Sequence, residues 1–214
     1  MTIRGILFDL DGLLVDTEPL FCASVIRALK EQGIELSEEE FYSYWTRDGK
    51  NIQGFTKEKG VTVDVEKYRR EHKKQYRNII EETLTLMPGV PGKIKELGDG
   101  YLLGLVSSSG RQEVNRILEL ISAKKYFQAI VTSDDVANGK PAPDGFLLAA
   151  KSIGIKPEEC AVIEDAEKGI LAAKQAGMKA IAIPNKYTAN NDFSKADRRL
   201  DSLLSLTKEL IDSL

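Results

Sequence analysis

Five short, almost continuously apolar runs of strand length recur along the chain, and helical patterns lie between them. The runs cover residues 3–8, 102–106, 129–131, 161–163 and 180–183. Strands that are buried on both faces of a parallel sheet read in this way, because neither face meets water. Since strands and helices alternate, the pattern predicts a doubly wound, Rossmann-like α/β fold with a parallel sheet.

Helical spacing of apolar residues marks the segments between the later runs. We predict helices over residues 112–121, 144–153 and 167–176. Gly154 and Gly177 follow the last two, and a glycine in the left-handed conformation commonly ends a helix.

The connection after the first run is much longer than the roughly dozen residues that a parallel crossover needs. Its pattern is helical: Ser37 and Glu40 have the spacing of a capping box, and Asp64 precedes a long charged helix that reaches residue 82. We therefore predict a Rossmann-like core of residues 1–15 and 88–214 and a helical domain of residues 16–87, inserted over the end of the first strand.

Composition excludes several classes of function. The 214 residues carry a net charge of −3, which does not suit nucleic-acid binding. No apolar run reaches membrane-spanning length and no signal-peptide pattern opens the chain, so we expect no membrane partner. Cys22 and Cys160 lie in apolar settings, which suits reduced thiols in a cytoplasmic protein. The single histidine, His72, is predicted to face solvent in a charged helix, so we expect no zinc site or histidine triad.

Polar residues follow four of the five predicted strands. They are Asp9 and Asp11 after the first, Ser107, Ser108 and Ser109 after the second, Lys140 after the third, and Glu164 and Asp165 after the fourth. Open α/β sheets bind ligands outside the carboxyl ends of their strands, so these residues are expected to form one site. Taken singly, each segment has a structural explanation as a turn, a helix cap, a loop lysine or a helix start. Their convergence at one edge favours a functional site.

The predicted site suits phosphoryl transfer with a metal. The acidic set Asp9, Asp11, Glu164 and Asp165 is expected to bind Mg²⁺, with Asp11 contributing its backbone carbonyl, and Lys140 adds a second cation. An EF-hand calcium loop is excluded because Leu13 occupies the position of its next oxygen ligand.

Two aspartates two positions apart suggest the mechanism. Asp9 attacks phosphorus and forms an aspartyl-phosphate, while Asp11 protonates the leaving group and then activates water. Ser107, Ser108 and Lys140 are expected to hold the phosphate oxygens.

With these motifs in this order, the sequence resembles the haloacid dehalogenase superfamily of phosphohydrolases. Residues 9–12, DLDG, resemble its first motif and the strand that ends at Ser107 its second; GKPAPD and VIEDAEKG resemble the third and fourth. The helical insertion is similar to the cap of the subgroup that contains β-phosphoglucomutase and phosphoglycolate phosphatase. The resemblance implies a Mg²⁺-dependent phosphatase whose cap closes over the substrate and sets specificity.

Departures from the family pattern favour one activity among several. The dehalogenases of this superfamily lack the second aspartate of the first motif. The presence of Asp11 at that position therefore argues for phosphate chemistry. The histidine of β-phosphoglucomutases falls at Phe21, so a phosphatase is preferred and a phosphosugar mutase is the alternative. A regulatory phosphoacceptor protein is a third reading, which the long insertion and Asp11 disfavour.

Substrate contacts in the insertion are predicted at Trp45, Arg47 and Lys50, because an aromatic ring beside cations suits a sugar phosphate. The alternative is that Trp45 simply packs against the core domain. The expected substrate is a small phosphorylated metabolite, and the expected assembly is a monomer or a weak dimer.

Overall fold

The computed structural model describes residues 2–47 and 50–214, with the backbone alone for Thr46 and Arg47. The chain divides into two compact units. The first, called here the sheet unit, is Met1–Val15 with Leu86–Leu214; the second, the helical unit, is Asp16–Thr85. No helix in the described ranges is both long and apolar enough to cross a membrane.

A six-stranded, all-parallel sheet forms the centre of the sheet unit, in the order β3-β2-β1-β4-β5-β6. The strands are β1 Gly5–Phe8, β2 Leu102–Val106, β3 Ala129–Val131, β4 Cys160–Glu164, β5 Lys179–Ala182 and β6 Arg198–Arg199. The doubly wound, Rossmann-like prediction and its five strands are confirmed. The sixth strand was missed because its two residues are exposed arginines at the sheet edge, with no apolar run to mark them.

Helices cover the sheet and enclose its apolar core. They are α5 Val90–Gly98, α6 Arg111–Leu120, α7 Asp144–Ser152, α8 Glu167–Gln175 and α9 Lys208–Asp212, numbered after four helices of the helical unit. The three predicted helices are confirmed to within a residue at each end. Gly154 and Gly177, with φ of 72° and 75°, follow α7 and α8 in the left-handed conformation.

The helical unit contains helices and no strand among its described residues. Its elements are α1 Glu18–Lys30, α2 Glu38–Phe41, a π-helical segment Tyr42–Arg47, α3 Ile52–Lys59 and α4 Val65–Thr83. The predicted capping box is present, with Glu40 N donating to Ser37 Oγ and Ser37 N to Glu40 Oε2. Asp64 caps α4 by accepting from Lys67 N at 2.9 Å.

The prediction that His72 faces solvent is wrong. Its ring stacks on Tyr68 and Tyr76, at 5.7 Å and 6.1 Å between centroids, and meets the edge of Phe21 at 4.9 Å. Burial lowers the pKa of His72 to about 4, and its Nε2 has no hydrogen-bond partner among the described residues. Residues 68, 72 and 76 recur at four-residue spacing and therefore share one face of α4. The charged residues around His72 in the sequence concealed this aromatic face.

The central strands should dominate the stability of the sheet unit. Leu105 of β2 is fully buried, so Leu105→Ala is expected to lower the free energy of unfolding by about 2–5 kcal/mol in urea denaturation, because it leaves a cavity. The matched control is Leu204→Ala, which removes the same atoms from a residue that is 62% exposed. It should change the free energy of unfolding by no more than about 0.5 kcal/mol. Equal effects of the two variants would contradict the burial described here.

Candidate active site

Segments from several strand ends meet at the carboxyl edge of the sheet, where β1 lies between β2 and β4. Asp9 follows β1, and its N–H donates to Ile163 O of β4 at 3.0 Å. Ser107 follows β2, and its N–H donates to Val131 O of β3 at 3.0 Å. Because the strand order reverses between β1 and β4, this edge is the switch point at which such sheets bind ligands.

Lys140 uses all three donors of its ammonium group inside the site. Nζ donates to Asp9 Oδ1 at 2.5 Å, to Glu164 Oε1 at 2.6 Å and to Val106 O at 2.9 Å. The side chain is 5% exposed and lies over the ring of Phe146. Burial alone would lower the pKa of Lys140, but Asp9 and Glu164 more than offset it and hold that pKa above its ordinary value. The ammonium group is therefore charged and fixed against Asp9.

Three buried carboxylates, those of Asp9, Glu164 and Asp165, lie around this one ammonium group in the described part of the chain. Burial raises the pKa of Asp9 to about 7; Lys140 opposes the rise, and the neighbouring carboxylates add to it. The pKa of Asp165 is also raised well above its ordinary value, by burial first and then by Glu164 and Asp9. A single lysine does not neutralise this cluster, so the site has the charge to accept a further cation.

Glu164 is held by protein groups at both of its carboxylate oxygens. Oε1 accepts from Lys140, and Oε2 accepts from the backbone N–H groups of Asp165 and Ala166, each at 3.0 Å. These two amides lie just before α8, where an anionic side chain is favourable. Glu164 therefore acts here as the second partner of Lys140.

The donor set fits a metal bound by fewer side chains than the sequence suggested. Within the described residues, no group of three or more acidic, histidine or cysteine side chains is arranged to hold a metal ion, so Asp9, Asp11, Glu164 and Asp165 do not form such a cluster. Asp9 uses Oδ1 for Lys140 and Asp165 uses Oδ2 for Asn185. The second oxygen of each carboxylate, with a backbone carbonyl, matches the oxygen ligands that Mg²⁺ takes.

Two serine hydroxyls hold the side chain of Asp11. Ser107 Oγ and Ser109 Oγ donate to Asp11 Oδ2 at 3.0 Å and 2.8 Å, and Ser109 N donates to Ser107 Oγ at 2.9 Å. Ser108 is exposed and, with Ser107 and Lys140, lines a small cavity of about 60 Å³. Ser109 belongs to the serine run expected at this edge, but the sequence assigned it no role, and the structure places its hydroxyl on Asp11.

Asn185, beyond the end of β5, was also missed. Its Nδ2 donates to Asp165 Oδ2 at 2.8 Å and to Gly12 O at 3.1 Å. Gly12 has φ of +80°, and a Cβ there would lie 2.5 Å from Asp165 Oδ2. Only glycine allows this approach. The sequence held a signal for Asn185, because it follows the fifth apolar run just as the predicted site residues follow the first four.

Comparison with known proteins identifies the family. A sequence profile described as haloacid dehalogenase-like hydrolase matches residues 6–183. The chain belongs to this family.

Relatives of this hydrolase share almost its whole length. Phosphoglycolate phosphatase of Escherichia coli strain K12 is 31% identical over 233 residues, covering 97% of this chain and 92% of the relative. A crystal structure of a CbbY mutant from Rhodobacter sphaeroides, in complex with xylulose-1,5-bisphosphate, is 27% identical, with a TM-score of 0.85 and all of both chains covered. A crystal structure of β-phosphoglucomutase from Clostridium difficile is 26% identical, with a TM-score of 0.79 and 99% and 96% of the chains covered. This hydrolase is a phosphatase of the haloacid dehalogenase-like family.

Two of the three residues predicted to contact substrate from the helical unit, Trp45 and Lys50, have partners within that unit. Trp45 stacks on Phe41, with centroids 5.4 Å apart, and lies beside Phe55 at 5.2 Å. Lys50 Nζ pairs with Glu58 Oε2 at 2.7 Å. The side chain of Arg47 lies outside the described residues. Trp45 thus contributes to the aromatic core of its own unit.

Substitution of Gly169 by alanine tests the role of Glu164 in this hydrolase. A methyl group at Gly169 would overlap the Glu164 side chain, so Gly169→Ala should force that carboxylate away from Lys140. We expect a folded protein with phosphatase turnover reduced on the order of 10²-fold, because Lys140 loses its alignment with Asp9. Gly92→Ala is the control, since a Cβ there meets nothing within 4 Å. Unchanged turnover in Gly169→Ala would show that the Lys140–Glu164 contact is dispensable.

The raised pKa of Asp9 predicts a pH-dependent stability in protein freed of divalent cations. A carboxyl whose pKa is about 7 in the folded state, against an ordinary 3.8, favours folding while it is protonated and loses that contribution as the pH rises through about 7. The free energy of unfolding measured in urea should therefore fall more steeply from about pH 4 to about pH 7 in the wild type than in Asp9→Asn. Parallel slopes would contradict the raised pKa.

Proposed function

We propose that the protein is a Mg²⁺-dependent phosphatase of small phosphorylated metabolites, sugar phosphates or sugar bisphosphates above all, that works through an aspartyl-phosphate. The observation that carries the proposal is Asp9, a buried carboxylate held by Lys140 at the switch point of the sheet. The family membership and the phosphatase relatives support the same reaction.

Asp9, Asp165 and the backbone carbonyl of Asp11 are the groups that would hold Mg²⁺. When bound, the cation supplies positive charge that neutralises the carboxylates and the phosphate oxygens. Lys140 provides the fixed part of that charge, and Glu164 keeps its ammonium group in place.

Asp9 is the nucleophile. Its carboxylate attacks phosphorus, an Asp9 O–P bond forms, and the bond from phosphorus to the ester oxygen breaks. Asp11, in its protonated form, gives its proton to the leaving oxygen. Asp11 then takes a proton from water, the water oxygen attacks phosphorus, and inorganic phosphate leaves with Asp9 restored. General acid–base assistance of this kind is typically worth about 10² to 10⁴ in rate.

Ser107 and Ser109 orient this acid–base group through their hydroxyls. Ser107, Ser108 and Lys140 are proposed to receive the phosphate oxygens, since they line one cavity next to Asp9. Because the three N–H donors of Lys140 are already engaged, its ammonium group would attract the phosphate through its positive charge at short range.

We also propose that the helical unit serves as the cap that selects the substrate. Trp45, Arg47 and Lys50 are the residues proposed to contact the substrate from this unit. Phe21, which occupies the position of the mutase histidine, packs against Phe41 and His72. A phenylalanine cannot shuttle a proton, so this substitution favours hydrolysis over a mutase reaction.

We propose a cytoplasmic location because Cys22 and Cys160 are both buried, free thiols, which suits a reducing compartment. A monomer or weak dimer stays a prediction.

Turnover of a chromogenic phosphate ester tests the nucleophile. With Mg²⁺ we expect release of inorganic phosphate, lost on chelation, and a decrease on the order of 10⁴- to 10⁶-fold in Asp9→Asn, as for other catalytic groups that act as a unit. Asp201→Asn makes the same chemical change at an exposed position and should leave turnover intact. Retained turnover in Asp9→Asn would defeat the assignment.

A panel of phosphorylated metabolites then extends the assay to the substrate. It should include phosphoglycolate, sugar monophosphates and sugar bisphosphates, each followed by phosphate release and by the identity of the organic product. Hydrolysis gives the dephosphorylated metabolite, whereas an isomerised sugar phosphate without free phosphate would establish the mutase alternative.

A further inference from the structure

Asn185 contacts the site through two hydrogen bonds that the proposed mechanism does not use. Its amide donates to the buried carboxylate of Asp165 and to the backbone carbonyl of Gly12. We infer that Asn185 is a positioning residue, whose amide sets the orientation of the Asp165 carboxylate and its distance from the DLDG turn for binding a divalent cation. This inference rests on the proposed function.

The orientation of the Asn185 amide is determined by its own turn. Oδ1 accepts from Tyr187 N at 2.8 Å and from Thr188 N at 3.2 Å, two backbone donors that do not depend on the side chains of those residues. An oxygen that accepts from two backbone N–H groups leaves the NH₂ group to face the site. The donor is therefore directed at Asp165 by contacts on the opposite side of the same side chain.

A donor is what this position requires. Asp165 Oδ2 and Gly12 O are both acceptors, and the two hydrogens of one NH₂ group serve one each. Asp165 is 5% exposed, so water does not readily replace the amide as its partner. With Oδ2 committed in this way, Oδ1 is the oxygen that Asp165 offers to a cation.

The second hydrogen bond ties Asp165 to the turn that carries the other proposed ligands. Gly12 follows Asp11 directly. Holding the Gly12 carbonyl therefore restricts the stretch of backbone that carries the Asp11 carbonyl. A Cβ on Gly12 would lie 2.7 Å from Asn185 Nδ2, which shows how closely the turn and the amide pack. Asn185 therefore links the ligand after β4 to the ligands after β1. Partners that orient metal-ligating carboxylates typically change metal affinity about 10- to 100-fold when removed.

Titration calorimetry of the metal-free, full-length protein with Mg²⁺ tests the inference. Asn185→Ala should bind Mg²⁺ about 10- to 100-fold more weakly than the wild type. At saturating Mg²⁺ most of the wild-type turnover of a chromogenic phosphate ester should return, because no group that touches the phosphate has been removed. The expected change is thus in the concentration of Mg²⁺ required and hardly in kcat.

Two controls separate the amide from its loop. Thr188→Ala removes one acceptor of the same turn and leaves the amide in place. Asn191→Ala removes another asparagine of this segment, whose Oδ1 accepts from Glu167 N at 3.1 Å. Both should bind Mg²⁺ with wild-type affinity. If Thr188→Ala loses as much affinity as Asn185→Ala, the shape of the loop is responsible and the inference is wrong.

A second variant guards against misfolding of Asn185→Ala. In Asn185→Ser the hydroxyl can still accept from the backbone of the turn but is too short to reach Asp165. It should show the same weakening of Mg²⁺ binding, and wild-type affinity in a folded Asn185→Ser would overturn the inference.

The wild type and Asp165→Asn separate this inference from the proposed function. If the wild type does not bind Mg²⁺, or if Asp165→Asn binds it as tightly as the wild type, both proposals fail. If the wild type binds Mg²⁺ and hydrolyses phosphate esters while the Asn185 variants bind Mg²⁺ equally well, only the role of Asn185 is refuted.

Discussion

The buried ammonium group of Lys140 is the interaction on which the site depends. Taking charges out of water costs several kcal/mol per ion even after relaxation, and this cost is recovered only when geometry and hydrogen bonding are good. Here three acceptors meet three N–H donors, and two of the acceptors are anionic. Removal of one partner would leave a buried charge without compensation, so the lysine, Asp9 and Glu164 function as one unit.

The negative charge of the three buried carboxylates exceeds the positive charge that Lys140 supplies. The pKa values of Asp9 and Asp165 are raised because burial, first, and the neighbouring carboxylates, Glu164 above all, penalise their ionised forms. Under the proposed function, a divalent cation would compete with those protons and favour the ionised form of Asp9. The excess negative charge that destabilises the metal-free protein would then also be the charge that favours the binding of the cation.

The sequence predicted the fold well because the information was local. Strands buried on both faces need apolar runs, and their order along the chain set which loops reach the carboxyl edge. It predicted the site less completely. Residue order shows that Glu164 reaches this edge, but not that both of its oxygens go to protein donors. Asn185 was missed because the predicted site contained the polar residues after the first four apolar runs and none after the fifth.

Aromatic patterning inside a charged helix was misread for a related reason. The prediction that His72 faces solvent rested on the charge of its neighbours in sequence. Its packing is determined by Tyr68 and Tyr76, one helical turn away on either side. The side chains that matter to a helical residue are three or four positions distant. Charge at the adjacent positions says little about the face on which it lies.

The site joins parts of the chain that are very far apart in sequence. The bond from Lys140 to Asp9 spans 131 residues, and that from Asn185 to Gly12 spans 173. During synthesis Asp9 leaves the ribosome early, but its partner Lys140 follows only after most of the chain has been made. A nascent chain shorter than 185 residues lacks at least Asn185, so the complete set of contacts can form only late in synthesis.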